Sequence, residues 1–181
     1  VIDRDGTQRD ATIEDYLKIQ RLYEANPNIG FNGGMTVDPV GIPPEWNDLV
    51  LNYASLCHST KPLYTAGGNY EEMEAVIEMT RTRFGYSEDE LRQHCVLVGL
   101  SNPNTPLLAT DDMTETILTF GKYRQPVVIC SAAMAGTTSP VTIAGTITVT
   151  NAEVLAGIIL AQMANPGTPV IYGTASTAAD L

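Results

Sequence analysis

Positive charge is scarce in this 181-residue sequence: 10 Lys and Arg stand against 21 Asp and Glu, a formal net charge of −11. So acidic a chain repels phosphate backbones and anionic lipid heads, which argues against nucleic-acid and membrane partners. The same balance suits cationic ligands, and it also simply keeps a protein soluble. Charge of either sign is sparse, at 17% of residues, where about a quarter is usual. Part of the surface is therefore expected to pack against something.

Cysteine is also rare. Cys57, Cys95 and Cys130 are the three present, and no CxxC occurs. That excludes a disulfide framework and a zinc ribbon. Their apolar neighbourhoods predict buried, reduced thiols and a reducing, cytoplasmic compartment. Cys57-His58 and His94-Cys95 offer zinc-type ligands, but both pairs fall at helix ends or strand starts, so structural histidines and no metal are expected. Neither GxGxxG after a strand nor GxxxxGK[ST] is present, which leaves nucleotide binding without support. Ser59 and Ser131 lack a GxSxG context and an obvious His partner, so a hydrolase triad is unsupported. Val1 to Asp10 is polar, unlike a signal peptide. The longest apolar run, Val154 to Met163, falls short of the roughly 20 residues of a membrane span. The chain lacks an initiator methionine and ends at Leu181 just after a predicted strand, as an excised piece would.

What the sequence does contain is a repeating unit. Strand-like runs begin near Ile29, Pro62, Cys95, Pro126 and Pro169. A helix-period segment fills each interval. The first helix follows Thr12, before the first strand, with Ile13, Tyr16, Leu17 and Gln20 on one face. The second follows Pro43-Pro44 and aligns Trp46, Leu49, Val50 and Tyr53. The third uses Met73, Val76, Ile77 and Thr80, and Ser87 with Glu90 forms a capping box for a short helix. The next spans about Asp111 to Lys122, with Met113, Ile117 and Phe120 inward. The last is expected to open at a Thr150/Glu153 capping box and to bury Val154, Leu155, Ile158, Ile159 and Met163 before Asn165-Pro166-Gly167 ends it. Such alternation implies right-handed βαβ units and a parallel sheet. An open doubly wound sheet and part of a (β/α)8 barrel both fit. A complete barrel needs about 250 residues, so the favoured fold is α/β, residues 1–181 forming a single incomplete (β/α)8 TIM-barrel fragment with about five parallel strands and intervening helices.

On that fold, ligand-facing residues follow each strand. These loops are Asn32-Gly33-Gly34-Met35, Thr65-Ala66-Gly67-Gly68-Asn69, Ser101-Asn102-Pro103-Asn104, Met134 to Pro140, and Tyr172-Gly173-Thr174. They are small, neutral and polar, and contain no His, Lys, Arg, Asp or Glu. An acid–base enzyme normally places a titratable group there. Glycine permits close approach of a bulky partner. Met134 to Thr150 reads as one long glycine- and threonine-rich loop, a length that favours function. Glu71-Glu72 and Asp111-Asp112 are accounted for as first-turn complements to helix dipoles. Tyr64 and Tyr172 have aromatic faces that suit quaternary ammonium groups, although strand aromatics are more often core.

The stretch from Pro126 to Gly173 carries M-A-G-x-T-x-P-V-T-x-A-G-T, then N-A-E-x-L-A-G, then N-P-G-x-P-V-I-Y-G. This wording resembles the signature region of the trimethylamine methyltransferase family, the trimethylamine and glycine betaine corrinoid methyltransferases. The segment from Pro27 to Gly68 is similar to that family's earlier barrel units, so the resemblance covers nearly the whole chain. It implies a (β/α)8 barrel in a considerably longer protein, of which this is an internal piece. It further implies transfer of a methyl group from a tertiary or quaternary methylated amine to the Co(I) of a corrinoid carried by a separate corrinoid protein. Such chemistry asks the protein to orient two partners and exclude water, which agrees with loops free of acid–base groups. Members specific for trimethylamine carry pyrrolysine in a later part of the barrel that this sequence does not reach.

The resemblance points to Met134, Gly136, Thr137 and Pro140, with Gly67, Asn102 and Tyr172 nearby, as substrate- or cofactor-binding residues. Gly67 and Gly136 would allow close approach, Thr137 and Asn102 would hydrogen-bond, and Tyr172 would face the ammonium. Two other readings stand beside it: a non-catalytic quaternary-amine-binding barrel, and an unrelated TIM-barrel lyase or isomerase with catalytic residues downstream. An unclosed barrel exposes strand edges and apolar helix sides, so the isolated piece is expected to aggregate or dimerise. The full-length form is expected to be a homo-oligomer.

Overall fold

A computed structural model describes residues 1–34 and 36–178; Met35, named above in the first loop, lies outside the described residues. Five parallel strands form the main sheet in the order β1 (Asn32–Gly33), β2 (Leu63–Thr65), β3 (Leu97–Ser101), β4 (Val127–Ser131) and β6 (Val170–Thr174). The order follows the chain and never reverses, so the switch point of a doubly wound sheet is missing among the described residues. Two short strands, β5 (Met134–Ala135) and β7 (Thr177–Ala178), pair in parallel beyond the main sheet.

The helices are α1 (Ile13–Ala25), α2 (Pro44–His58), α3 (Tyr70–Phe84), α4 (Glu88–Leu91), α5 (Asp111–Lys122) and α6 (Ile143–Ala164). Caps explain most of their starts. Thr12, Asn69 and Ser87 close capping boxes with Asp15, Glu72 and Glu90, and Pro44 occupies the first turn of α2, where its missing N–H costs nothing. Neighbouring helices pack side by side, α1 on α2, α2 on α3, α3 on α5 and α5 on α6.

Strand alternation decides which side chains meet that layer. A Cβ on Gly99 would stand 2.7 Å from the Phe120 ring of α5, and one on Gly157 of α6 would stand 2.8 Å from Ile129. Leu97, Gly99, Ser101, Val127, Ile129 and Ser131 therefore face the helices. Val98, Leu100, Val128 and Cys130 face the other way. The main core gathers Leu63, Met73, Val76, Ile77, Leu97, Ile117, Phe120, Val127 and Ile129 between sheet and helices.

Two helices turn a different face inward from the one their hydrophobic spacing predicts. In α2 the buried residues are Leu51, Asn52, Ala54, Ser55 and Leu56, while Trp46 and Tyr53 are exposed. Polar pairing sets that face: Asn52 donates to Thr65 Oγ1 at 2.9 Å, and the Tyr16 hydroxyl lies 2.7 Å from Ser55 Oγ. In α6 the buried residues are Thr146, Thr150, Glu153, Val154, Gly157 and Ala161, while Leu155, Ile159 and Met163 are exposed. Small residues let this helix approach β4 closely, so Leu155, Ile159 and Met163 point outward, while Val154 and Ile158 pack inward as their spacing predicts.

α6 also begins earlier than the Thr150/Glu153 pattern predicts. Thr142 caps it by accepting from the Gly145 N–H at 3.1 Å. The stretch read as one long loop is thus half helix, and its threonines are engaged: Thr146 Oγ1 donates to the Pro140 carbonyl, and Thr150 meets Ser176. At 22 residues α6 is long and apolar enough to cross a membrane by length and composition alone, contrary to the shorter run read from the sequence. Its place is that of the crossover between the paired strands β4 and β6.

The cysteines are not buried as expected. Cys57 and Cys95 are exposed and Cys130 is half-buried. Cys57 lies opposite the inward face of α2, Cys95 in the turn before β3, and Cys130 on the sheet face away from the helices.

Candidate functional site

The carboxyl ends of the strands, with the first turns of the helices that follow them, form an open mouth. A cavity of about 280 Å³ there is lined by Asp48, Ala66, Gly67, Leu100, Ser101, Asn102, Asp112 and Met113. A second, of about 380 Å³, is lined by Thr36, Val37, Asp38, Asn47, Asp48 and Leu51. Neither wall contains Lys, Arg or His. Gly67 and Asn102, singled out from the sequence, are thus brought together.

Gly67 is held from behind. A Cβ there would lie 2.5 Å from the Leu100 carbonyl oxygen and 2.9 Å from Thr116 Oγ1. The neighbouring Gly68 donates its N–H to that hydroxyl at 3.0 Å, and the hydroxyl donates back to the Gly68 carbonyl. The glycines therefore seat the β2–α3 loop against β3 and α5.

The β4–β5 region places Met134, Gly136, Thr137 and Pro140 in one tight turn. The N–H groups of Thr137, Thr138 and Ser139 all point to the Met134 carbonyl, at 3.1–3.2 Å. Gly136 has φ +86, a conformation that strains any other residue, and open space surrounds its Cβ position. β5 carries this turn, and its pairing with β7 holds it beyond the main sheet. Tyr172 stands apart from the group. It is aligned with Ile129, on the helix side of β6, and its hydroxyl donates to Asn151 Oδ1 of α6 at 3.2 Å. Tyr64 is on the opposite side of the sheet, beside Phe31 at a ring-centroid distance of 6.2 Å.

Sequence reasoning passed over the mouth's carboxylates because Asp48 and Asp112 come from helices and Asp38 lies beyond the strand-end residues singled out. Asp48 and Asp112 line the first cavity. Asp48 is open to solvent, yet surrounding atoms crowd its carboxyl and raise its pKa, with the charge of Asp38 a second cause. Glu153, which lines a separate cavity, was also passed over. It is buried in α6, and its carboxylate accepts from Ser131 Oγ at 2.5 Å, Thr105 Oγ1 at 3.0 Å and the Leu107 N–H at 2.7 Å. Only its burial could have flagged it, and the capping-box pattern concealed that.

Among the described residues no three of His, Cys, Asp and Glu converge as metal ligands. His58 Nδ1 lies 2.9 Å from the Ala54 carbonyl, and His94 stacks on Tyr86 at 4.9 Å.

Comparison with known proteins adds to this geometry. The sequence model of the family described as trimethylamine methyltransferase (MTTB) matches residues 1–181. The glycine betaine methyltransferase of Desulfitobacterium hafniense (strain Y51) is 38% identical over 181 residues, which is 100% of this chain and 38% of that protein. The trimethylamine methyltransferase MttB1 of Methanosarcina acetivorans is 32% identical over 180 residues, 95% of this chain and 35% of that protein. The proline betaine:corrinoid methyltransferase of Eubacterium limosum is 27% identical over 188 residues, 98% of this chain and 38% of that protein. The chain thus spans 35–38% of the length of these relatives.

Proposed function

The chain belongs to the trimethylamine methyltransferase (MTTB) family, and from that premise we propose that it is part of a methyltransferase moving a methyl group from a quaternary or tertiary methylated amine to a corrinoid carried by a separate protein. The family match along residues 1–181 carries this reading. Two of the relatives named above act, by their names, on betaines, and one on trimethylamine. A quaternary ammonium substrate is the form the mouth suits best.

The mouth supports it chemically. A quaternary nitrogen neither gives nor takes a proton, so its site needs no acid or base. What it needs is a wall free of competing cations and supplied with negative charge. The cavities around Asp48 have that composition. Asp48 and Asp112 would attract the ammonium, and the exposed Asn102 would orient the rest of the molecule.

The rim suits a bulky planar partner. Among the described residues, chain neighbours aside, no atom lies within 4 Å of the Cβ position of Gly136, which leaves room for a partner. Met134, Leu107 and Leu108 are exposed apolar side chains, and Thr137 adds a hydroxyl. These residues would bind the corrinoid protein, exclude water and hold the amine in line. A reduced corrinoid bound at this rim would supply the electron pair for the methyl group, with the pair of the C–N bond left on nitrogen.

We further propose that the five-stranded sheet is part of a (β/α)8 barrel, a reading supported by its sequential order and by the chain of helix-to-helix contacts along it. The test uses the complete protein with reduced cobalamin and, separately, glycine betaine, other betaines and trimethylamine. Loss of the reduced-cobalt absorbance together with a demethylated amine is expected for one of them. Tight binding of an amine with no demethylated product would make this a binding protein, and no response to any amine would point to a different barrel enzyme.

A further inference from the structure

The connection from β3 to α5 contains a turn whose shape its own sequence does not favour. Asn104 and Leu108 exchange backbone hydrogen bonds at 2.9 and 3.0 Å. Between them Leu107 has φ +59, the left-handed region that non-glycine residues rarely adopt. Leu107 is also 66% exposed, so burial of its side chain is no compensation. Packing does not prop the turn from behind either: a cavity of about 280 Å³, lined by Pro103, Leu107, Leu108, Met113, Ala152 and Ala156 among others, lies between it and α6. The feature that reaches across is the Glu153 carboxylate. It binds the Leu107 N–H and the Thr105 hydroxyl on the turn, and the Ser131 hydroxyl at the end of β4.

Resting on the methyl-transfer reading, we propose that Glu153 is a positioning residue: it ties the β3–α5 connection to α6 and β4, and so holds Asn102 over the mouth and Leu107 and Leu108 at the rim facing the corrinoid partner. Strained backbone persists where surrounding structure over-determines it, and such places cluster at functional sites. The role is one of hydrogen-bond geometry and not of charge, and that distinction is testable. In Glu153→Gln the amide oxygen can still accept from the Leu107 N–H, while the amide N–H groups point at two hydroxyls. Both hydroxyls can rotate from donating to accepting. In Glu153→Leu the volume is kept and all three contacts are lost, leaving the Leu107 N–H without its partner.

The experiment measures, in the complete protein, amide hydrogen exchange over residues 102–110 alongside methyl transfer to cobalamin. Wild type and Glu153→Gln should protect the Leu107 amide alike. Glu153→Leu should exchange there about tenfold faster, the upper end of what one lost hydrogen bond is worth. Its KM for the corrinoid should rise with little change in kcat. Three results would overturn the proposal: unchanged protection in Glu153→Leu; equal loss of activity in Gln and Leu variants with the loop still protected; or faster exchange spread over the whole sheet. If Glu153→Leu does not fold, Thr105→Val decides, with faster exchange confined to residues 104–108 expected and no change counting against the idea. Exchange is read without turnover, so absence of methyl transfer in the wild type would refute the functional reading while leaving the loop result standing.

Discussion

The two ends of the sheet are built from different chemistry. At the amino ends of the strands, cations and amides close the structure. Lys61 donates to the Tyr23 and Asn26 carbonyls that end α1, and Arg83 to the Leu56 and Ser59 carbonyls that end α2. Buried Gln125 donates to Leu91, His94 and Tyr123 carbonyls and accepts from the Val96 and Leu97 N–H groups. At the carboxyl ends stand glycines, hydroxyls and carboxylates. Part of this polarity is a helix effect, since cations suit helix C-termini and anions N-termini. The rest separates an end that stabilises from an end available for binding: the first leaves few groups free, while the second leaves Asp48, Asn102 and Gly136 open.

Gln125→Leu tests the amino end most severely. It would strand three carbonyls and two N–H groups at a fully buried position. A loss of about 3–5 kcal/mol in unfolding free energy is expected from several such groups, read by urea denaturation of the complete protein. A loss below about 1 kcal/mol would mean the amino end is not the stabilising one.

Gly136→Val tests the opposite end. The side chain meets open space, so the cost to stability is the positive φ, on the order of 1 kcal/mol. Methyl transfer should fall on the order of tenfold or more, because a blocked or displaced rim misaligns the reacting groups. Unchanged transfer would remove this turn from the partner-facing surface.

Acid should act first at the amino end. Ser59 and Thr60 hold the Glu24 carboxylate through hydrogen bonds that lower its pKa to about 2 from 4.5. A lowered carboxylate pKa contributes stability that is present above the unfolded value and disappears as pH falls through the folded one. Stability should therefore decline between about pH 4.5 and 2, and Glu24→Gln should flatten that part of the profile. An identical slope in the variant would show that other carboxylates govern acid unfolding.

Much of the fold was legible in the sequence where local chemistry decides it. Thr12, Asn69, Ser87 and Thr110 all cap helices, and the inward residues Met113, Ile117 and Phe120 follow from period alone. What was not legible depended on partners distant in sequence. Asn52 turns inward because Thr65 awaits it, and α6 turns its small face inward because Ile129 leaves no room for larger residues. At the site, Gly67 and Asn102 could be read from their places after strands. Glu153 could not, since its partners Thr105, Leu107 and Ser131 lie 48, 46 and 22 residues away.

Asp48 should give the smallest change in stability, in the opposite direction from Glu24. Crowding in the mouth raises its pKa, so the folded protein disfavours its ionised form. That leaves the fold at full advantage below the unfolded pKa, an advantage lost as pH rises through the folded value. Above that value the ionised carboxylate is thus destabilising, and there Asp48→Asn should raise Tm while weakening the binding of a quaternary amine. An enzyme keeps such a residue when function needs it more than stability does. Calorimetric titration of glycine betaine into both proteins, paired with their melting curves, checks the two effects together. Higher Tm with unchanged amine affinity would show that the mouth's negative charge is not what receives the ammonium.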